Sequence, residues 1–164
     1  MDDLLPDISD AHGDDVHWIP IQWQNFGGNA AFSGRVETLR CFEDNTKVRD
    51  ILGKPGHGCV LVVDGHGNLN KALLGDQLAE LAVKNGWEGV VVFGAVRDAG
   101  ALSKMSLGVK ALGVCPIKTE KRGAGDENVP LRIHDVLISP GDYVFADLNG
   151  VMVSQHPIEF GEHE

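Results

Sequence analysis

The sequence has little of what several protein classes require. Its 164 residues include only three cysteines, Cys41, Cys59 and Cys115, which are odd in number and widely spaced in apolar surroundings. We therefore expect buried thiols rather than disulfides or a zinc site. No apolar run approaches the roughly 20 residues that a membrane-spanning helix needs. The acidic N-terminal stretch lacks the basic-then-apolar order of a secretory signal, which predicts a cytoplasmic protein.

Basic residues are also scarce. Lys and Arg number 14 against 24 Asp and Glu, which gives a formal net charge of −10. Such a surface repels phosphate backbones, so direct nucleic-acid binding is not expected. An acidic face can still attract a basic segment of another protein. The length and the 43% hydrophobic content suit one soluble domain over residues 1–164.

Nucleotide-binding motifs are missing as well. No Gly-x-Gly-x-x-Gly follows a predicted strand, and the Gly-rich residues 25–34 lead into a strand instead of a Lys-Ser/Thr pair. A wide turn is therefore favoured there over a phosphate-binding loop. A second polar turn, 64–68, leaves two interpretations open, since Asp64 and His66 could be metal ligands or solvated turn residues.

The longest organised stretch covers residues 73–98 and reads LLGDQLAELAVKNGWEGVVVFGAVRD. Its first half predicts a helix that begins at Gly75-Asp76 and ends at Gly86, where a left-handed residue is favoured. Residues 89–93 form a short β-branched run, which is typical of a strand covered on both faces. The predicted apolar stripe of the helix consists of Leu74, Leu78, Leu81 and Ala82.

The rest of the chain predicts an α/β domain with mixed sheets. Residues 59–63 resemble 89–93, so a parallel β-α-β unit is expected over 59–93. A helix capped by Asn45 is expected over Thr46–Leu52, and another over 99–105. Residues 118–128 are polar and Gly-rich and predict an exposed loop or lid. Short strands separated by turn residues predict an antiparallel C-terminal third, which is not the alternation of a Rossmann or barrel fold.

Four residues of the central stretch fall where ligands gather in such folds. Gly75 and Asp76 open a helix, and Arg97 and Asp98 follow a strand. Two carboxylates suit Mg²⁺ or Mn²⁺, which keep several waters and take one or two protein oxygens. The Arg97 guanidinium can grip a carboxylate with two hydrogen bonds.

The start of the helix adds donors for the same anion. Free N–H groups at Asp76, Gln77 and Leu78, aided by the helix dipole, would hold a second part of it. The pattern therefore predicts a site for a small metal-chelating carboxylate such as a 2-oxo acid. Simpler explanations stay open, because Asp76 could be only a helix cap and Arg97-Asp98 only a solvated ion pair.

The stretch GDQLAELAVKNGWEGVVVFGAVRD contains an Asp, twenty intervening residues and then Arg-Asp. It resembles the signature of the family that joins the regulator of ribonuclease activity A to metal-dependent 4-hydroxy-4-methyl-2-oxoglutarate aldolases. The similarity extends to NFGGNAAFSG, VLVVDGHG, KRGAGDENVP and SPGDYVFAD. The resemblance implies a swivelling β/β/α, phosphohistidine-domain-like fold and a homotrimer with the active site between subunits.

The resemblance also implies an activity. A class II lyase of this kind splits 4-hydroxy-4-methyl-2-oxoglutarate into two pyruvates and decarboxylates oxaloacetate as a side reaction. By position, residues 75–78 would bind substrate, Arg97 would hold its carboxylate, Asp98 would bind the divalent metal, and Asp76 would act through metal-bound water. A Schiff-base mechanism would need a buried lysine of lowered pKa, and nothing in the sequence marks Lys71 as one.

One feature departs from the longer aldolases of the family, in which a C-terminal extension of the neighbouring subunit contributes an acidic residue. This chain stops at Glu164, and whether Glu159, Glu162 or Glu164 stands in for that residue stays open. The alternative function is a protein-binding regulator that inhibits an RNA-degrading endonuclease. A metal-free structural trimer is the third hypothesis.

Overall fold

The computed structural model describes residues 3–159, and this part of the chain contains four helices and twelve strands. The helices are α1 (Leu4–His12), α2 (Thr46–Leu52), α3 (Asp76–Lys84) and α4 (Ala99–Leu102). The strands are β1 (Val16–Trp18), β2 (Gln24–Asn25), β3 (Phe32–Arg40), β4 (Cys59–Asp64), β5 (Ala72–Leu74), β6 (Gly89–Val96), β7 (Gly108–Val114), β8 (Asp126–Glu127), β9 (Leu131–Ile133), β10 (Val136–Ile138), β11 (Tyr143–Asp147) and β12 (Gly150–Ser154). Across the described range, no helix has the length and apolar character that would let it cross a bilayer.

The centre of the molecule is parallel. Strands β3, β4, β6 and β7 lie side by side in this order, and each pairs in parallel with the next. The predicted unit β4-α3-β6 is confirmed. The structure also contains two parallel units that the sequence did not predict, β3-α2-β4 and β6-α4-β7. They were not predicted because the residue pattern of a strand does not reveal which strand it pairs with.

The segment before α3 also differs from the prediction. Ala72–Leu74 forms the short strand β5, which pairs in parallel with the far end of β6. Leu74 therefore belongs to a strand and not to the helical stripe. The helix itself buries Leu78, Ala79 and Ala82, and Gly86 beyond its end has φ +84°, as the predicted helix stop requires.

The antiparallel C-terminal third is confirmed. Strand β11 pairs antiparallel with β12 and with β3, and β12 pairs with β1 at the edge of a ten-stranded mixed sheet. Strands β9 and β10 form a separate two-stranded ribbon. The observed α/β architecture thus has one large mixed sheet and one small antiparallel sheet.

The large sheet is buried on both faces, as its continuous apolar strands predict. Leu61 and Val63 of β4 pack in the cluster that contains residues of α2 and α3. Val60 and Val62 point the other way, into the cluster formed with β9 and β10. Each such side chain contributes about 1.5–3 kcal/mol by its removal from water.

The three cysteines are free and buried, which confirms the expectation of core thiols. Burial, together with the nearby carboxylates of Asp44 and Asp64, raises the pKa of the Cys41 thiol to about 12. This thiol therefore stays protonated at neutral pH and is a packing group.

The two polar turns are closed by hydrogen bonds within the chain, and Asp64 is buried rather than solvated. The Asp64 carboxylate accepts the N–H of His66 at 2.9 Å, and no group of three or more metal-binding side chains occurs among residues 3–159. In the Gly-rich turn, the N–H groups of Phe26 and Gly28 donate to the carbonyls of Val109 and Met105, at 2.9 and 3.0 Å. Those amides are therefore not available to a phosphate.

Candidate active site

A cleft opens at the carboxyl edge of the parallel strands. It measures about 90 Å³ and is lined by all six residues of the predicted carboxylate site, residues 75–78 with Arg97 and Asp98. Residues 75–78 reach it from the start of α3, and Arg97 and Asp98 reach it from the end of β6. This is the edge at which ligands gather in open α/β sheets.

Asp98 is held in an unusual backbone conformation. Its φ and ψ are 60° and 43°, in the left-handed region that few residues other than glycine, Asn and Asp adopt. Its Oδ2 accepts the N–H of Asp76 at 2.9 Å, so Asp98 caps α3 from the neighbouring strand. The helix begins after Gly75, which leaves the half-buried Asp76 carboxylate without the capping role that the simpler interpretation gave it.

Glycine is required at position 75 because there is no room for a side chain, and not because of its backbone angles. A Cβ atom at this position would lie 2.7 Å from Oδ2 of Asp98 and 3.2 Å from Cγ of Arg97. Any larger residue would therefore push the carboxylate away from the helix that it caps.

The Arg97 guanidinium is only partly engaged. Its Nη1 donates to the carbonyl of Pro116 at 3.4 Å, and its Nε lies 3.9 Å from Oδ2 of Asp98. The two side chains are 39% and 35% exposed, so this ion pair is long and screened by solvent. The guanidinium keeps N–H donors that can face a ligand carboxylate in the cleft.

The amide donors at the start of α3 differ in one respect from the expectation. The N–H of Asp76 is not free, because Asp98 accepts it. Gln77 and Leu78 lie in the first turn, where no helical carbonyl precedes them, so their N–H groups and the positive end of the helix dipole still suit an anion.

Four further polar side chains line the same cleft and were not identified from the sequence. Asn45 and Arg49 come from the start of α2, and Lys118 and Lys121 come from the segment after β7. Both segments follow predicted strands, and that position is the sequence signal for a ligand site. It identifies these residues only once β3 and β7 are known to be parallel to β6, because parallel strands end at the same edge of the sheet. Four cations and two carboxylates make the cleft locally cationic on a chain of net charge −10.

The donor set of the cleft fits a hard divalent cation. Within residues 3–159, the second oxygen of Asp98 has no hydrogen-bond partner, and Asp76 lines the same space. Mg²⁺ and Mn²⁺ are satisfied by one or two carboxylates plus water, whereas zinc needs three or four protein ligands. The residues present therefore match a largely hydrated cation held by Asp98.

The other sequence candidates lie elsewhere. Lys71 is half-buried and does not line the cleft. The buried lysine is Lys110 of β7, which is 1% exposed, and burial lowers its pKa although Asp147 opposes the shift. Lys110 sits opposite Val91 in the middle of the sheet, away from the cleft. Glu159 is exposed, and Glu162 and Glu164 lie outside the described residues.

Comparison with known proteins gives a consistent fold and several functional names. The RraA-like family, described as Aldolase/RraA, matches residues 5–153. A Vibrio vulnificus relative with the provisional name 4-hydroxy-4-methyl-2-oxoglutarate aldolase is 56% identical over 160 residues, which cover 98% of this chain and 100% of the relative.

Two solved structures superpose closely. The RNA-processing inhibitor RraA from Thermus thermophilus has a TM-score of 0.92 and 42% identity, with 99% of this chain and 98% of that chain covered. A Geobacillus kaustophilus protein described as S-adenosylmethionine: 2-dimethylmenaquinone methyltransferase has a TM-score of 0.92 and 40% identity, with coverages of 96% and 99%. One fold thus carries three functional names, so the function must be argued from the cleft.

Proposed function

This chain belongs to the RraA-like family, and from that premise and the geometry of the cleft we propose that it is a divalent-metal-dependent lyase. It splits 4-hydroxy-4-methyl-2-oxoglutarate into two pyruvates by retro-aldol chemistry and decarboxylates oxaloacetate as a secondary activity. The observation that carries the proposal is the open carboxylate of Asp98 beside the Arg97 guanidinium, at the N-terminus of α3. The cation is Mg²⁺ or Mn²⁺.

The charge of the cleft suits these substrates, because each carries two carboxylates. Arg97 and the first amides of α3 offer one anion site. Arg49, Lys118 and Lys121 offer positive charge elsewhere in the same cleft. A dicarboxylic 2-oxo acid is therefore a better fit than a neutral or cationic compound.

The two reactions need stabilisation of the same negatively charged intermediate. Each breaks a carbon–carbon bond next to a ketone and leaves its electron pair as a pyruvate enolate, which is then protonated on carbon. A bound divalent cation would polarise the keto oxygen and offset this negative charge. Asp98 would hold the cation, and Arg97 would orient and neutralise the substrate carboxylate. In the retro-aldol reaction the 4-hydroxyl proton leaves, and we assign Asp76, acting through water, to accept it.

The methyltransferase name of one structural neighbour finds less support. The Gly-rich residues 25–34 are the stretch for which a phosphate-binding loop is the alternative to a wide turn. The amides of Phe26 and Gly28 in this turn are already bonded to the backbone near β7.

A regulator of an RNA-degrading endonuclease is the second candidate. It is favoured by the likeness to the Thermus inhibitor and by the net charge of −10, which suits a basic protein segment. The intact Asp76, Arg97 and Asp98 favour the enzyme. A pull-down with such an endonuclease that yields no salt-sensitive complex would remove this candidate.

The family resemblance also supports a proposal about assembly and location. We propose a cytoplasmic homotrimer with the cleft between adjacent subunits, in the swivelling β/β/α class. Sedimentation equilibrium would test the trimer, since a monomer at micromolar concentration would contradict it.

The activity is tested by pyruvate release. Purified protein is given 4-hydroxy-4-methyl-2-oxoglutarate or oxaloacetate, with Mg²⁺ and then with excess chelator. We expect chelator-sensitive turnover above the rate that Mg²⁺ alone produces. A folded protein that releases no pyruvate from either substrate would overturn the proposal.

A further inference from the structure

A third carboxylate, beside the cleft, has no role in the chemistry described above. Asp44 lies just before α2 and is 1% exposed. We propose that Asp44 is a positioning residue, which holds residues 118–125, here named the lysine loop, against the start of α2 and so fixes Lys118 and Lys121 at the cleft. This inference rests on the proposed function, because it assigns those lysines to a dicarboxylic substrate.

The Asp44 carboxylate is fully occupied by protein donors. Its Oδ1 accepts the N–H of Thr46 at 3.0 Å and the Thr46 hydroxyl at 2.7 Å. Its Oδ2 accepts the N–H groups of Arg122 and Ala124 at 2.9 and 3.0 Å. One oxygen therefore binds α2 and the other binds the lysine loop, and the carboxylate joins the two segments.

The neighbours of Asp44 extend this connection. The Thr46 hydroxyl accepts the N–H of Gly123 at 3.3 Å. The Thr119 hydroxyl donates to Oδ1 of Asn45 at 2.8 Å and accepts the N–H of Asn45 at 3.3 Å. Thr119 is 4% exposed. These contacts flank Lys121 on both sides and Lys118 on one side, and a β-bridge to Ala72 also holds Lys118.

The lysine loop needs this support because residues 118–125 contain no helix or strand, and only Lys118 forms a β-bridge, with Ala72. Its Gly123 and Gly125 have φ values of +77° and +143°, which only glycine adopts readily. Ordering such a segment costs backbone entropy. The contacts from residues 44–46 offset that cost before a substrate arrives, so Lys118 and Lys121 are already placed when it binds.

Both segments that Asp44 joins reach the cleft directly. Asn45 and Arg49 line it from α2, and Lys118 and Lys121 line it from the lysine loop. Asp44 thus connects the two walls that carry these groups. Asp98 and Arg97 lie on a third segment, after β6, and no hydrogen bond in the described part of the chain joins them to Asp44.

The test uses Asp44→Asn, which preserves shape but replaces one acceptor oxygen by an NH₂ donor. The matched control is Asp50→Asn, the same change at an exposed position of α2. We expect Asp44→Asn to raise KM for oxaloacetate about tenfold with kcat within about twofold, the loss expected for one misplaced charge contact. Inhibition by pyruvate, which has a single carboxylate for Arg97, should be unchanged, and the control should match the wild type.

A second readout does not depend on activity. Trypsin can cut after Lys118, Lys121 and Arg122 of the lysine loop, and a loosened loop is cut faster. We expect cleavage in Asp44→Asn at least about tenfold faster than in the wild type or in Asp50→Asn at the same temperature. Equal cleavage rates, or a fall in kcat at unchanged KM, would overturn the inference.

A further pair of variants covers the case in which Asp44→Asn does not fold. Thr46→Val removes the hydroxyl that bridges Asp44 and Gly123, whereas Thr46→Ser retains it. Faster trypsin cleavage in the Val variant, restored to the wild-type rate in the Ser variant, supports the inference, and equal rates contradict it. A wild-type protein without turnover would refute the proposed lyase, and trypsin would then decide the structural claim alone.

Discussion

Two aspartates near one cleft serve opposite purposes. Asp44 is 1% exposed and accepts four hydrogen bonds from α2 and the lysine loop. The Asp98 side chain is 35% exposed, accepts one amide at 2.9 Å and lies 3.9 Å from the Arg97 Nε. A carboxylate has about four lone-pair sites, so Asp44 has none left for a ligand and Asp98 has several. The difference indicates that Asp44 positions protein segments and that Asp98 is available to bind a ligand.

The electrostatic environments of Asp44 and Asp98 also differ. Burial alone would raise the pKa of Asp44, but hydrogen bonds from Thr46, Ala124 and Arg122 outweigh it and hold this pKa well below its usual range. Asp44 is thus an anion neutralised by protein dipoles. Asp98 is neutralised only in part, by the start of α3 and by the Arg97 Nε at 3.9 Å, and a metal cation would complete its surroundings.

The largest expected effect is a loss of catalytic activity, which distinguishes Asp98 from Asp44. Asp98→Asn should lower metal-dependent kcat/KM about 1,000-fold, because the group that holds the cation is lost. Its melting temperature should change by less than about 2 °C, because the Asn amide oxygen can still accept the Asp76 N–H and Asn tolerates the left-handed conformation. Pyruvate release and calorimetry measure the two quantities, with Asp50→Asn as the control. More than a tenth of wild-type activity would contradict the assignment.

The next effect concerns the guanidinium beside Asp98. Arg97→Lys keeps the charge but loses the planar fork, so kcat/KM should fall about 100-fold. Arg132→Lys, on the exposed face of β9, should have no effect and serves as the matched control. Steady-state kinetics with oxaloacetate check this, and a loss of less than about threefold at Arg97 would exclude bidentate binding of the substrate.

A smaller effect tests whether the position of Asp98 matters as well as its charge. Gly75→Ala places a Cβ 2.7 Å from Oδ2 of Asp98, so we expect the carboxylate to shift and turnover to fall about tenfold. At Gly100 of α4 a Cβ would meet nothing within 4 Å, so Gly100→Ala is the control. Equal activity of the two variants would show that the cap geometry of Asp98 is not needed.

The smallest effect concerns acid stability. Hydrogen bonds lower the pKa of Asp44 in the folded state, so its stabilisation is present above the unfolded value of about 4 and is lost as the pH falls below it. The wild type should exceed Asp44→Asn by about 2 kcal/mol in free energy of unfolding at pH 7. Urea unfolding at pH 7, 5 and 3.5 should show this difference shrinking at the lowest pH. A difference that is constant with pH would contradict the account.

Much of the fold and of the candidate site is predictable from the sequence, because the signals are local. The bounds of α2, the stop at Gly86 and the strand around Val91 follow from caps, glycine and continuous apolar residues. Asp76 and Arg97 come together because one predicted parallel unit places both at the same edge of the sheet.

What could not be predicted depends on partners distant in sequence. The amide of Thr46 is capped by Asp44, while Asn45, the expected cap, bonds to Thr119 of the lysine loop. No local pattern shows that pairing, since residues 44–46 and 119–124 meet only once β3 and β7 lie in one sheet. Leu74 was assigned to the wrong element for the same reason, because only its pairing with β6 makes it a strand residue.

The most direct test of this account is Mn²⁺ binding, followed by electron paramagnetic resonance as the loss of the free-ion signal. The wild type and Asp44→Asn should bind one ion per chain with similar affinity. Asp98→Asn should bind at least about 100-fold more weakly, because the carboxylate with open lone pairs is gone. Unchanged binding in Asp98→Asn, or a loss confined to Asp44→Asn, would contradict the division of roles between the two carboxylates.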